Sequence, residues 1–168
     1  MSFAASPARR GTVYDQAAYW LTVVAVYFLV GVLFFYSGKS KLFDQDGKAP
    51  QPLREQFEGT FIGTFPGIDT AWVILGILEF GVFLLMLASL VRGEFLPHRP
   101  KALLLDALAL ALLTFACLSF GQTSTGNNEG TASLYTYFAS TAIIFLLVLR
   151  LPPNRPGHWL SARLPARD

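Results

Sequence analysis

Four long apolar runs separated by polar connections dominate the chain, at residues 17–37, 71–91, 102–122 and 131–150. Each is close to the roughly 20 residues that an α-helix needs to cross a 30 Å hydrocarbon core. Stretches such as WLTVVAVYFLVGVLFF and ALLLDALALALLTFACL do not alternate apolar with polar residues, which argues against the strands of a β-barrel. Four buried helices of this length in a soluble chain of 168 residues would leave almost no polar surface. The pattern therefore predicts an all-α protein, a four-transmembrane-helix bundle over residues 17–150. Polar tails flank it at residues 1–16 and 151–168.

The connections differ in kind. The second, RGEFLPHRPK at 92–101, carries two prolines that stop helices. The third, TSTGNNEG at 123–130, is turn chemistry throughout. Connections this short make neighbouring helices antiparallel. The first is longer and contains LREQFEGTFIGTF, in which Leu53, Phe57, Phe61 and Ile62 fit one side of a short amphipathic helix. That segment is expected to be interfacial, lying on the outer leaflet or capping the bundle.

Composition and charge agree with the pattern. Charged residues make up 14% of the chain, against roughly 25% in ordinary soluble domains. Nine of the 13 Lys and Arg share one side of a four-span topology: Arg9, Arg10, Arg92, Arg99, Lys101, Arg150, Arg155, Arg163 and Arg167. Lys39, Lys41, Lys48 and Arg54 share the other. The positive-inside rule then places both termini in the cytoplasm. The N-terminal tail is polar and the first run is too long for a signal-peptide core, so the first helix is expected to be retained. Trp20, Trp72 and Trp159, with Tyr14, Tyr19 and Tyr36, sit at span ends as an interfacial aromatic belt does. The net charge of +2 follows from this bias and implies no nucleic-acid partner.

Candidate chemistry begins with Glu79. It is the sole charge within AWVILGILEFGVFLLMLASLV, where a carboxylate costs about 2.5–3.5 kcal/mol on insertion scales. Roughly 12 Å of helix separates it from the outer end of its span. The first span closes on FFYSGKSKLFD; if the helix continues there, Ser37, Gly38 and Lys41 share a face. The small pair lets a neighbouring helix approach, and Lys41 is then placed to pair with Glu79. A pinned helix contact and a functional site both predict that pair. With Gln122, Glu129 and Tyr135, these residues define a candidate outer-side site for a quinone head group or a lipid, flanked by Phe34, Phe35, Phe61, Phe65 and Phe120. Asp106, near the start of the third span, suits a helix N-terminus.

Other chemistries find no residues. Cys117 is the only cysteine, so neither an intramolecular disulfide nor a CxxC pair is available. His98 and His158 lie outside the runs, and Met86 alone is a poor basis for haem ligation. No phosphate-binding loop, dinucleotide fingerprint, HExxH or nucleophile elbow occurs, so no catalytic residue and no metal ligand is assigned.

FFYSGKSKLFD, then FEGTFIGTFPG, then LGILEFGVFLLML together resemble the DoxX family of small four-helix membrane proteins of bacteria and archaea. The likeness runs from about Val30 to Gly93, with a weaker echo over FGQTSTGNNEGTASL and the closing LPP. Its most specific parts are the SGxxK pattern (Ser37, Gly38, Lys41) and the in-membrane Glu79. Family members are associated with thiosulfate:quinone oxidoreductase, quinol oxidases and oxidative-stress complexes, and distant relatives act as cargo receptors or assembly chaperones. The resemblance implies an accessory subunit of a redox or respiratory complex in the bacterial inner membrane. Its partners would be membrane lipids and other membrane subunits, and quinone is the one cofactor suggested. A membrane scaffold or assembly factor with a purely structural Lys–Glu pair, and a small proton-linked carrier, stand as alternatives.

Overall fold

Inside a hydrocarbon layer, backbone N–H and C=O groups must be satisfied within the chain, and a helix does this locally. In the computed structural model, which describes residues 13–152, all four apolar runs are helical. The expected tails lie mostly outside the described residues, as do Trp159, Arg9, Arg10, Arg155, Arg163 and Arg167. Helix α1 (Val13–Lys39) runs on into a π-helical turn, Ser40–Asp44. The short α2 (Gln51–Phe57) follows, then α3 (Ile68–Val91), α4 (Ala102–Ser124) and α5 (Asn128–Arg150). Among the described residues, four stretches are long and apolar enough to cross a membrane: Ala17–Asp44, Gly63–Val91, Ala102–Ser124 and Asn128–Arg150. The main helix contacts are α1 on α3, α3 on α4 and α4 on α5.

Helix ends depart from the apolar runs for local reasons. Helix α5 starts at Asn128, inside the expected turn, because the Asn127 side chain accepts the Gly130 amide at 2.9 Å and caps it. Helix α2 ends at Phe57, short of the helix expected to carry Leu53, Phe57, Phe61 and Ile62 together. Gly59 at φ +76° turns the chain, and the Thr60 hydroxyl donates to the Phe57 carbonyl at 2.7 Å. All four side chains nevertheless converge, lining one apolar cavity of about 290 Å³ against α3 and α4. Arg54 fixes α2 to the first turn of α3: its guanidinium grips Asp69 at 2.8 and 3.0 Å, and its Nε donates to the Ala49 carbonyl at 2.9 Å.

The inward stripes follow helical spacing. Val23, Val26, Val30 and Phe34 are buried on α1, and Leu104, Leu108, Ala111 and Phe115 on α4. On α3 the buried set is Gly76, Glu79, Val82, Met86 and Ser89. Glu79 thus belongs to the same stripe as the apolar core residues. The crossing of α1 and α3 is tightest at Gly38, where a Cβ would come within 2.7 Å of the Phe80 backbone nitrogen. Only glycine permits that approach.

Candidate functional site: a buried lysine–glutamate pair

Three elements bring the pair together. The close crossing at Gly38 sets α1 against α3. The π-helical turn after Lys39 carries Lys41 along the same face as Ser37. Gly76, one turn before Glu79, leaves the space that Lys41 and Leu42 fill; a Cβ there would meet both side chains at about 3.0 Å. The Lys41 ammonium then donates to Glu79 Oε2 at 2.7 Å, to Oε1 at 3.0 Å and to Ser37 Oγ at 2.8 Å. An ammonium has three donors, so its capacity is used up.

The Trp72 ring closes the site. Lys41 Nζ lies 4.7 Å from its centroid, a cation–π contact, and Gln45 holds the indole N–H at 3.0 Å. Lys41 is 8% exposed and Glu79 3%. Trp72, expected only as part of an interfacial belt, is therefore a component of the site. Two charges this deep are tolerated because each is the other's counter-ion and the remaining donor has a hydroxyl. Lys39 forms an exposed pair with Asp44 at 2.6 Å instead.

The structure joins Ser37, Gly38, Lys41 and Glu79, but it does not join Gln122, Glu129 or Tyr135 to them. Gln122 Oε1 accepts from Gln56 and Asn127, both at 2.8 Å, tying α2 to the end of α4. Glu129 is exposed in the first turn of α5. Tyr135 is 65% exposed and lines a separate hollow with Ser119 and Phe138. The continuous outer polar cluster expected from the sequence is thus divided, because α4 and α5 present these side chains to other neighbours. Phe34 packs inward on Phe115 with the rings tilted and their centroids 5.4 Å apart, while Phe61 and Phe65 border the α2 cavity. Among the described residues no group of three His, Cys, Asp or Glu could hold a metal ion.

A second buried polar network, absent from the sequence reading, lies at the other end of the helices. Glu94 accepts the Leu103 and Leu104 amides at 3.1 and 3.0 Å and the Ser89 hydroxyl at 3.0 Å, and Ser89 meets Tyr27 at 2.6 Å. Position 101 would ordinarily cap α4, but a lysine has no acceptor, so Glu94 supplies the cap and the favourable negative charge. Lys101 in turn donates to the carbonyls of Leu96, Arg99 and Pro152. Burial lowers the Lys101 ammonium to about 8, against a smaller opposing pull from Glu94. Asp106 is half-buried on the second turn of α4. A glutamate in a connection and a lysine just before a span look like surface charges; the only sequence signal was the missing cap.

Among the described residues, fold and site define an all-helical chain with four helices long and apolar enough to span a membrane and an ion pair buried between the first two of them. No family model, no curated protein and no solved structure matches the chain.

Proposed function

We propose that this chain is an integral membrane protein acting as a non-catalytic accessory subunit of a redox or respiratory, quinone-linked assembly. The observation that carries the subunit reading is the closure of the Lys41–Glu79 pair. A proton carrier must expose its carboxylate alternately to two sides, whereas Glu79 is 3% exposed and each of its oxygens accepts from Lys41. The pair is read as a pin that holds α1 on α3. The redox setting rests on the likeness of Ser37, Gly38, Lys41 and Glu79 to the DoxX pattern. The bacterial inner membrane, with cytoplasmic termini, rests on that likeness and on the distribution of Lys and Arg. Membrane lipids and other membrane subunits are the partners of this reading. A quinone would find its room in the α2 cavity beside Trp72, since the pair leaves none.

Purification of the full chain from its native membrane in mild detergent tests this reading. Oxidoreductase subunits and extractable quinone should co-elute with it, and the double variant Lys41→Met with Glu79→Leu, which strands no charge, should still assemble with them. Recovery of the chain with no redox protein and no quinone would overturn the assignment. Loss of the partners' electron-transfer activity in that assembled double variant would overturn the pin.

A further inference from the structure

A groove of about 730 Å³ runs between α1 and α3, on the far side of their crossing from the ion pair. Its α1 wall extends from Trp20 to Phe35, about 22 Å at 1.5 Å per residue. It opens because the helices touch closely at Gly38, while farther along large side chains such as Phe35 and Phe83, 4.8 Å apart, hold them separate. No charged side chain lines it, and the hydroxyl of its one tyrosine, Tyr27, is tied to Ser89. Gly31 widens it further, since a Cβ there would meet nothing within 4 Å.

The connection that closes one end of the groove carries exposed basic residues. Trp20, Leu90 and Phe95 form that end, and the exposed Arg92 lies between the last two in sequence. Arg99 and His98 are exposed on the same connection, and Arg150 is exposed at the matching end of α5. The connection's only acid, Glu94, is turned inward at 4% exposure, where it caps α4. Arg9 and Arg10 precede α1 in the sequence. The exposed charge of the connection is therefore positive, beside a long apolar channel at membrane depth. A transmembrane helix would be a poor occupant, because close helix approach relies on rows of small residues and these walls carry Phe28, Phe83 and Leu87.

We propose that this groove is a binding site for an anionic phospholipid. An acyl chain lies along α1 and α3, Trp20 sits at the depth of the glycerol region, and the phosphate faces Arg92. The site is independent of the redox reading, which can fail without affecting it.

Trp20 fluorescence reads occupancy directly. Full-length protein carrying Trp72→Phe and Trp159→Phe is reconstituted in phosphatidylcholine vesicles containing increasing brominated phosphatidylglycerol, or brominated phosphatidylcholine with the same chains. Brominated phosphatidylglycerol should quench Trp20 at about fivefold lower mole fraction, the effect of one basic side chain near a membrane surface. Arg92→Gln should bring the two lipids to equal potency. Gly31→Phe, which fills space that is empty in the fold, should weaken quenching by both. Equal quenching by the two lipids in the parent protein would overturn the proposal, and that comparison needs no groove variant. So would an anionic preference left unchanged by both substitutions.

Discussion

Lys41 and Glu79 illustrate how a buried charge is worth most to its partner. Lys41→Ala strands a carboxylate among apolar side chains and should cost about 3–5 kcal/mol, whereas Lys41→Met combined with Glu79→Leu should recover most of that loss. Unfolding in mixed detergent micelles measures both; a single variant no worse than the double would show that the pair holds nothing. Lys101 makes a prediction of opposite character. Its ammonium titrates near 8 in the folded protein rather than at its ordinary 10.5, so the unfolded chain binds more protons between those values. Its contribution to stability should therefore rise as the pH climbs from about 8 to about 10.5, and should be lost again as the pH falls through 8. Lys101→Met should flatten that rise in a pH series of unfolding curves. Glu79 was legible in the sequence because it is a lone charge in an apolar run. Glu94 was not, because an acid in a connection looks solvated until the fold turns it under the start of α4.

Helix contacts turn on a few small residues. Gly38 meets the Phe80 backbone, so Gly38→Ala must push α1 off α3 and should cost about 1–3 kcal/mol, loosening the ion pair with it. Gly31→Ala is the control, since it enters open space and should stabilise by up to about 1 kcal/mol through helix propensity. The same unfolding assay separates them; equal effects would remove the close crossing from the account. The apolar runs marked where the helices lie but not which faces meet, because they are apolar all round. Gly76, Glu79 and Ser89 carry that information on α3: small and polar residues gather on the packed side when lipid covers the other. The end of α2 at Phe57 has a local cause. The spacing of Leu53, Phe57, Phe61 and Ile62 suits one helix, yet a turn at Gly59 delivers the same four side chains to one cavity.

For the molecule as a whole, the testable consequence is topology. Helix α4 spans Ala102–Ser124, so the connections on either side of it should lie on opposite faces of a membrane. In a Cys117→Ser background, an impermeant maleimide added to sealed inside-out vesicles should label Arg99→Cys at once. Asn128→Cys should react only after the vesicles are opened. The reverse order would invert the orientation drawn from the Lys and Arg bias, and equal labelling would remove α4 as a span.

The number and helical nature of the long apolar stretches were written in the sequence, because hydrophobic length and the need to satisfy the backbone in lipid allow little else, whereas the first two helical stretches extend past their apolar runs. The expensive carboxylate was equally plain, while Lys41 was its candidate partner only if the first helix continued past its apolar run. What required the tertiary structure was distance. The close approach at Gly38, the π-helical turn at Ser40–Asp44 and the space at Gly76 bring Lys41 within 2.7 Å of Glu79. The same packing turns Gln122 and Tyr135 to other neighbours and buries Glu94 at the far end. Hydropathy is a property of single runs, whereas a polar site is made by the few angles and glycines at which two runs cross.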